Sequence, residues 1–446
     1  MQKFGGSSLA DADRIRRVAR RIARERARGS RLVVVVSAMG DTTDALLSLA
    51  SAITDEPDLR ELDVLLATGE HQSATLVSMA LHALGVPAIS LTGAQAGITT
   101  DGRYGRARIA NVDPRRVYAE LDAGKVVIVA GFQGMSQRSE LAASGSPPVT
   151  GGGTSSNDPV HAAETTTLGR GGSDTTAVAL AARLNADRCQ IFTDVRGIYT
   201  ADPRLLPEAR WLPVIGYEEM LEMAQHGAQV MQTRAVELGW VNNVVIEVLS
   251  SFEDTPGTLI REDPLVEQRN RVRGLAHDRN VAKVTIPEIP DRPGVATAIF
   301  TPLADEGIIV DIIVQNVAHG GLIDMSFTVP RVDVARARRI LEPVARRLGA
   351  DEITTDSSVA KVSIIGSGIQ IAPGYAARMF GALAAAGVNI EMIATSEIRI
   401  TCLIREDGVA AALRSLHAAF ELEKPDTVDS AAEAAVGAAG GAPTGT

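Results

Sequence analysis

Leu32-Val33-Val34-Val35-Val36 runs directly into Ser37-Ala-Met-Gly-Asp41-Thr-Thr-Asp44, and this stretch decides the fold. Five apolar, mostly β-branched residues in a row suit a strand covered on both faces, not one with a wet side. Val126-Val-Ile-Val-Ala130 and Gln190-Ile-Phe-Thr193 read the same way. Helical patterns lie between them. Ile15, Val18, Ala19, Ile22 and Ala23 fall on one face, and nine arginines between Arg14 and Arg31 fill the rest. That basic run reads as a solvated helix face rather than a polyanion patch. Strand and helix alternate to about residue 260, which predicts an α/β domain whose mostly parallel sheet is sandwiched by helices.

Composition sets the bounds. The chain has 446 residues, more than one core usually holds, so two to four domains are expected. Hydrophobic residues make up 45% and aromatics only 3%, so Ala, Val, Leu and Ile must build the cores. The net charge of −10 argues against nucleic-acid binding through a general positive field. No apolar run is long enough for a membrane span, and no signal peptide pattern opens the chain. Two distant cysteines, Cys189 and Cys402, suit a reducing compartment and give no metal framework. The seven histidines have no ligand spacing, so a zinc enzyme is not expected and no metal ligands are assigned. A cytoplasmic protein follows.

The pattern changes near residue 262. Val281-Ala-Lys-Val-Thr-Ile-Pro, Arg292-Pro-Gly and Gly307-Ile-Ile-Val-Asp-Ile-Ile are echoed by Val359-Ala-Lys-Val-Ser-Ile-Ile, Ala372-Pro-Gly and Gly387-Val-Asn-Ile-Glu-Met-Ile. Equal offsets mark a duplicated βαββαβ module of roughly 70 residues. The expected organisation is a domain over 1–261, modules over 262–350 and 351–424, and a disordered tail over 425–446. Ser-Gly-Ser-Pro-Pro and Gly151-Gly-Gly-Thr-Ser-Ser predict a mobile loop over 138–164.

Chemistry-bearing residues gather at strand ends. In Lys3-Phe-Gly5-Gly6-Ser7-Ser-Leu, paired glycines let backbone N–H groups approach a phosphate, with lysine adding charge; a plain strand-to-helix turn is the other reading. The spacing is not that of a Walker A loop. The loop from Ser37 is either a ligand corner or a helix cap with Asp41 or Thr42 as N-cap. Thr68-Gly-Glu70-His offers a carboxylate for an amino group, or one favoured by an early-helix dipole. Thr165-Thr-Thr-Leu-Gly-Arg170-Gly-Gly-Ser173-Asp174-Thr-Thr is the strongest segment. Arg170 offers a fork for a carboxylate or phosphate, and Gly171 and Gly172 expose backbone donors. An Asp beside an anion site needs a balancing cation, which favours phosphoryl transfer over simple anion binding. Thr193-Asp194 with Gly197-Ile-Tyr199-Thr-Ala-Asp202-Pro-Arg204 suits a nucleotide, or a capped surface loop.

Lys-Phe-Gly-Gly-Ser-Ser, Leu-Gly-Arg-Gly-Gly-Ser-Asp-Thr-Thr and Thr-Asp-Val-Arg-Gly-Ile-Tyr-Thr-Ala-Asp-Pro-Arg together resemble aspartate kinase, within the amino-acid-kinase superfamily. The paired C-terminal modules resemble its ACT domains. The resemblance spans residues 1 to about 424, with five motifs in the family order. It implies an amino-acid kinase fold followed by two ACT modules. It also implies transfer of the ATP γ-phosphoryl group to the side-chain carboxylate of L-aspartate, giving 4-phospho-L-aspartate, the first step of lysine, threonine and methionine biosynthesis. Mg²⁺ would bridge the phosphates. Lysine, threonine or both would inhibit through the ACT modules. A homodimer or larger assembly through those modules is expected, with or without a shorter regulatory chain.

By that resemblance Lys3 and Asp174 are catalytic, Lys3 stabilising the transferring group and Asp174 orienting Lys3 and the metal-bound phosphates. Lys3, Gly5, Gly6, Ser7 and Ser37, with Thr193, Asp194, Tyr199 and Arg204, would bind ATP. Thr43, Glu70, Arg170, Gly172 and Ser173 would bind aspartate, Glu70 taking its ammonium and Arg170 its α-carboxylate. Asp291, Gly294, Gln315 and Asn316 would seat the effector. The residue types agree with the chemistry. A carboxylate of pKa near 3.9 needs no general base, so cations and backbone donors that offset anion repulsion are the working parts.

Three departures stand out. Only Met1 and Gln2 precede Lys3, so either the start lies upstream or Lys3 is less firmly held. Gln229 stands where the family has a lysine near ATP. The 138–164 loop is longer than in the family. Kinases for glutamate or N-acetylglutamate are the alternatives within enzymes, the free ammonium site at Glu70 opposing the second. A weakened amino-acid sensor is the alternative outside them. Deleting residues from about 262 onward is expected to remove inhibition.

Overall fold

A computed structural model of the chain describes residues 1–136, 163–228, 230–262, 272–317, 321–350, 352–367, 369 and 373–425. Its first part contains β1 (Gln2–Phe4), α1 (Ala12–Ala27), β2 (Val33–Val36), α2 (Thr42–Ile53), α3 (Leu59–Ala83), β3 (Ala88–Leu91), β4 (Ile98–Thr100), β5 (Ile109–Val112), α4 (Arg115–Asp122), β6 (Val126–Ala130), β7 (Gln133–Ser136) and β8 (Thr165–Thr167). There follow α5 (Gly172–Arg183), β9 (Cys189–Thr193), β10 (Ile198–Tyr199), β11 (Trp211–Leu212), β12 (Val214–Ile215), α6 (Tyr217–Gln225), α7 (Thr233–Val241), β13 (Ile246–Ser250) and β14 (Thr258–Ile260). Eight strands form one sheet in the order β12-β14-β13-β9-β1-β2-β6-β3, and every neighbouring pair except β13–β14 is parallel.

The valine run shows why. Val33, Val35, Val127 and Val129 enter one core with α5 and α7; Val34, Val36, Val126, Ile128 and Ala130 enter another with Ile15, Val18, Ala19 and Ile22 of α1 and Val77 and Leu81 of α3. Period-2 alternation thus feeds two helical layers from one apolar run. Each fully buried Val, Ile or Leu contributes about 1.5–3 kcal/mol. The α1 arginines cover the solvent side, with Arg14, Arg16 and Arg28 paired to Asp11, Asp13 and Glu25. A smaller sheet, β5-β4-β7-β8, stands beside the main one.

The rest contains β15 (Gly274–Asp278), β16 (Ala282–Pro290), α8 (Val295–Asp305), β17 (Ile313–Val317), β18 (Leu322–Val329), α9 (Val334–Leu348), β19 (Thr354–Asp356), β20 (Val359–Ile365), α10 (Tyr375–Ala385), β21 (Ile390–Ser396), β22 (Arg399–Arg405) and α11 (Val409–Ala419). Two four-stranded sheets result, β17-β18-β16-β19 and β15-β20-β22-β21. The modules therefore interlock. β19, beyond the expected boundary at 350, closes the first sheet, and β15, within the expected first module, completes the second. Val281, Ile312, Val359, Met392 and Leu403 form an apolar contact between them.

Most of the expected 138–164 loop and all but the first residue of the 425–446 tail lie outside the described residues, as does Gln229. At the loop's described end, Glu164 O accepts from Ser136 N at 2.8 Å, and the Glu164 carboxylate accepts from Tyr104.

Candidate active site

β1 is the centre of the main sheet, with β2 on one side and β9 on the other. The chain leaves β1 toward β2 and β6 and later fills the β9 side, so the loops after β1 and β9 part company at their carboxyl ends. That topological switch point is where open parallel sheets bind ligands. Lys3 sits there, paired in register between Val35 and Ile191. Its ammonium lies 2.7 Å from Asp174 Oδ1, and both residues are buried. Asp174 is in the first turn of α5, where the helix dipole favours a carboxylate. Short as it is, the first strand pairs Lys3 on both sides, to β2 and to β9.

The two glycine-containing corners zip together. Gly5 N donates to Phe192 O at 3.3 Å, Ser37 N to Phe4 O at 3.1 Å, and Gly40 N to Gly6 O at 3.0 Å. A Cβ on Gly6 would lie 2.9 Å from Ala38 O, so only glycine lets the corners meet at this distance. Ser7 and Ser37 are half-buried at this junction. Of the two residues proposed as N-cap of α2, Asp41 holds that position. It does so without a capping bond, and Thr42 Oγ1 donates to Met39 O.

Glu70 is in the middle of α3, so the early-helix dipole does not explain it. It is 3% exposed. Its Oε1 accepts from Ala38 N at 3.1 Å, and its buried Oε2 has no hydrogen-bond partner. Burial pushes its carboxyl up to about 7, against the opposing Ala38 N–H. A buried carboxylate oxygen with nothing to bind fits an incoming ammonium group.

Gly172 and Ser173 are buried at the start of α5. Arg170, just before it, is 91% exposed, and its guanidinium faces Asp44 of α2 at 3.9 Å. Thr43 is half-buried beside Asp44. Arg170 thus faces the first turn of α2. Thr193, Asp194, Tyr199 and Arg204 all line one cavity of about 480 Å³ that starts where β9 ends. Arg204 pairs with Asp202 at 2.9 Å and holds that carboxyl below its usual range.

Several residues escaped the sequence reading. Asp63, almost fully buried on α3, accepts from Gly105 N, Thr167 N and Thr167 Oγ1. Arg234 of α7 donates to Leu168 O and Ala107 O, and Gln232 to Arg170 O. Together they fix the Leu168–Gly172 turn from two sides. The one available signal was that Asp63 stands two helical turns before Glu70, on the same face. Leu275, Ala276 and His277 of β15 also line the 480 Å³ cavity, which no local motif foretold.

Beside the sheet β17-β18-β16-β19, Gly294 takes the N-cap of α8 at φ +94°, and Asp291 N donates to Gly321 O at 2.9 Å. Gln315 and Asn316 lie on β17 opposite Met325 and Asp324, near the end of the sheet where Pro290 pairs with Leu322. All four residues are exposed. Cys189 and Cys402 are free and buried, and burial pushes both thiols up to about 12. Among the described residues no His, Cys, Asp and Glu cluster of three forms a metal cage, and no helix is long and apolar enough to cross a membrane.

Comparisons with known proteins agree with this geometry. Residues 2–248 match the amino acid kinase family, and residues 283–349 and 362–420 each match an ACT domain. An aspartokinase of Pseudomonas aeruginosa is 48% identical over 95% of this chain and 98% of its own length. One from Thermus thermophilus is 47% identical over 95% and 99%. The fold also matches Escherichia coli aspartokinase III in complex with aspartate and ADP (R-state), at a TM-score of 0.75 and 25% identity over 94% of this chain and 98% of that one. The same enzyme with lysine and aspartate (T-state) gives 0.66. With a buried Lys–Asp pair at the switch point of its sheet, and with relatives that match it nearly end to end, the chain belongs to the aspartate kinase family.

Proposed function

We propose that the chain transfers the γ-phosphoryl group of ATP to the side-chain carboxylate of L-aspartate, and that lysine, threonine or both inhibit it through the ACT modules. The observation that carries the first half is the buried Lys3–Asp174 pair, with Glu70 Oε2 left unpartnered nearby in the fold. Lys3 is positioned to stabilise charge that develops on the transferring group, a role needing no general base because the nucleophile is already ionised. Asp174 holds Lys3 in place. The backbone at Gly5 and Gly6 approaches phosphate oxygens closely for lack of side chains. Glu70 takes the substrate ammonium, which selects a free α-amino acid over an N-acetylated one. Arg170 takes the α-carboxylate by swinging from Asp44, which its exposure permits.

Among the described residues Asp174 Oδ1 has Lys3 as its one charged partner, so the donor set at this corner suits Mg²⁺ held largely by phosphate oxygens with Asp174 nearby. Bound there, the ion would supply bridging charge across the phosphates. Asp291, Gly294, Gln315 and Asn316 are the effector residues, Asp291 suiting an ammonium group. The exposed Ile313 of β17 and Ile393 of β21, on strands that end their sheets, support a dimer or larger assembly through the modules.

Trapping the acyl phosphate with hydroxylamine tests the reading. Hydroxamate forming with aspartate and ATP, but not with glutamate or N-acetylglutamate, is expected. Turnover of glutamate in preference to aspartate would overturn it. Inhibition by lysine or threonine in the same assay, lost in Asp291→Ala, tests the regulatory half.

A further inference from the structure

One wall of the 480 Å³ cavity does not come from the kinase part of the chain. Leu275, Ala276 and His277 stand in it beside Tyr199, Asp202 and Arg204. They belong to β15, which pairs with β20 of the second regulatory sheet, Leu275 opposite Ile364 and His277 opposite Val362. The same strand is bound to the kinase side. Leu275 N donates to Thr200 O at 2.7 Å. Gly227, at φ +117°, lies so close that a Cβ there would be 1.8 Å from His277 O. Side chains divide accordingly, Ala276 into the kinase core and Leu275 into the core of the second module.

The loop that frames the cavity is shared too. Ala201, Leu206 and Ala209 pack in one apolar cluster with Met379, Leu413, Leu416 and Phe420 of the second module. Thr200 Oγ1 meets His417 Nε2 at 3.0 Å, both buried, while it accepts from Arg210 N. Tyr199 to Ala209 therefore takes its shape from the module as much as from the kinase sheet.

We propose that β15 is a nucleotide-binding element, with His277 contacting the nucleoside end of ATP, so that the second regulatory module completes the nucleotide site. This rests on reading the cavity as the ATP site. The phosphate end is set by Thr193, next to Phe192, whose carbonyl holds Gly5. His277 lies instead toward the Asp202–Arg204 pair, with Asp278 and Arg279 as its other charged neighbours. Burial pushes its imidazole below the ordinary range, so near neutral pH it meets a ligand as an uncharged ring able to stack or hydrogen-bond. Nucleotide in the cavity touches both halves of the chain. Binding energy and module docking are then linked, and the linkage is reciprocal. Truncation at about 262, expected to remove inhibition, then has a second consequence. It also removes three cavity residues and uncovers Ala201, Leu206 and Ala209.

The test is calorimetric titration of ADP with magnesium into the full-length chain and into Tyr199→Ala, His277→Gln, His277→Ala and His277→Asp, each with its ligand-free melting curve and its KM for aspartate. His277→Ala should weaken ADP about fivefold, as loss of one ring or hydrogen-bond contact does. His277→Asp should weaken it more and His277→Gln least, with the KM for aspartate unchanged. Wild-type ADP affinity in both His277→Ala and His277→Asp, with Tyr199→Ala impaired, would overturn the β15 wall while leaving the cavity reading intact. Wild-type affinity in Tyr199→Ala as well would overturn both. Lower melting temperatures in the His277 variants without any change in ADP affinity would make His277 purely structural and likewise overturn the proposal.

Discussion

Lys3 on β1 and Asp174 on α5 are far apart in sequence, yet their side chains meet at 2.7 Å in a buried pair where β1 ends and α5 begins. Isolated buried pairs seldom stabilise a fold, because desolvation offsets their attraction. In the role proposed above, beside a polyphosphate, the pair is instead a cation kept in position.

Removing either partner should therefore cost catalysis heavily. Lys3→Ala and Asp174→Ala are each expected to lower kcat at least about 100-fold, as loss of transition-state charge stabilisation does. Steady-state kinetics check this, and near-normal turnover in either variant would refute the roles assigned.

Glu70 gives a pH signature. Its carboxyl stands at about 7 in the free protein because burial disfavours the charge. Binding the substrate ammonium needs the ionised form, so the KM for aspartate should rise as pH falls below 7, approaching tenfold per unit, and stay flat above. Glu70→Gln should raise KM and abolish that dependence.

The same shift has a stability consequence. An acid whose folded-state pKa is raised binds its proton more tightly when folded. That contribution is fully present below the ordinary value of 4.5 and is lost as pH rises through about 7. At pH 8 the free protein carries the burial cost of the charge, on the order of 3 kcal/mol. Glu70→Gln should melt higher than wild type at pH 8, with the gap closing toward pH 5. An unchanged gap would mean that another interaction sets it.

Gly6 separates the two corners from the chemistry. Gly6→Ala places a Cβ 2.9 Å from Ala38 O and 3.0 Å from Gly40 O, both backbone atoms that cannot swing away. The KM for ATP should rise severalfold, with a melting temperature lower by several degrees. A variant that melts and binds ATP like wild type would show that the corners have room to spare.

Arg170 should behave in the opposite way. Being 91% exposed, it adds little to the fold. Arg170→Ala should leave the melting temperature unchanged while raising the KM for aspartate at least about tenfold, and Arg170→Lys should restore little because lysine lacks the planar fork. Unchanged KM would remove Arg170 from the substrate site.

What the sequence made legible follows from how local each signal is. The valine run announced a doubly covered strand because both faces of Val33–Val36 carry the same apolar message. Lys3, Asp174 and Glu70 stand in short motifs whose residue types already suggest charge handling. Asp63, Gln232 and Arg234 were silent, since they act by holding backbone carbonyls and amides that only folding brings within reach. The exchange of β15 and β19 between the modules was hidden for a related reason. A repeat in sequence reports similar units but not which sheet a connecting strand will join. The sensor reading leaned on Gln229, which lies outside the described residues, and on the short first strand, beside which Lys3 and Asp174 still form a buried pair.

The most direct measurement is a crystal structure of the complete chain with ADP, magnesium and aspartate. The account predicts the Lys3 ammonium within hydrogen-bond distance of the phosphates and Glu70 Oε2 on the aspartate ammonium, in one shared cleft. Nucleotide or amino acid seated elsewhere, with Lys3 still bound only to Asp174, would contradict it.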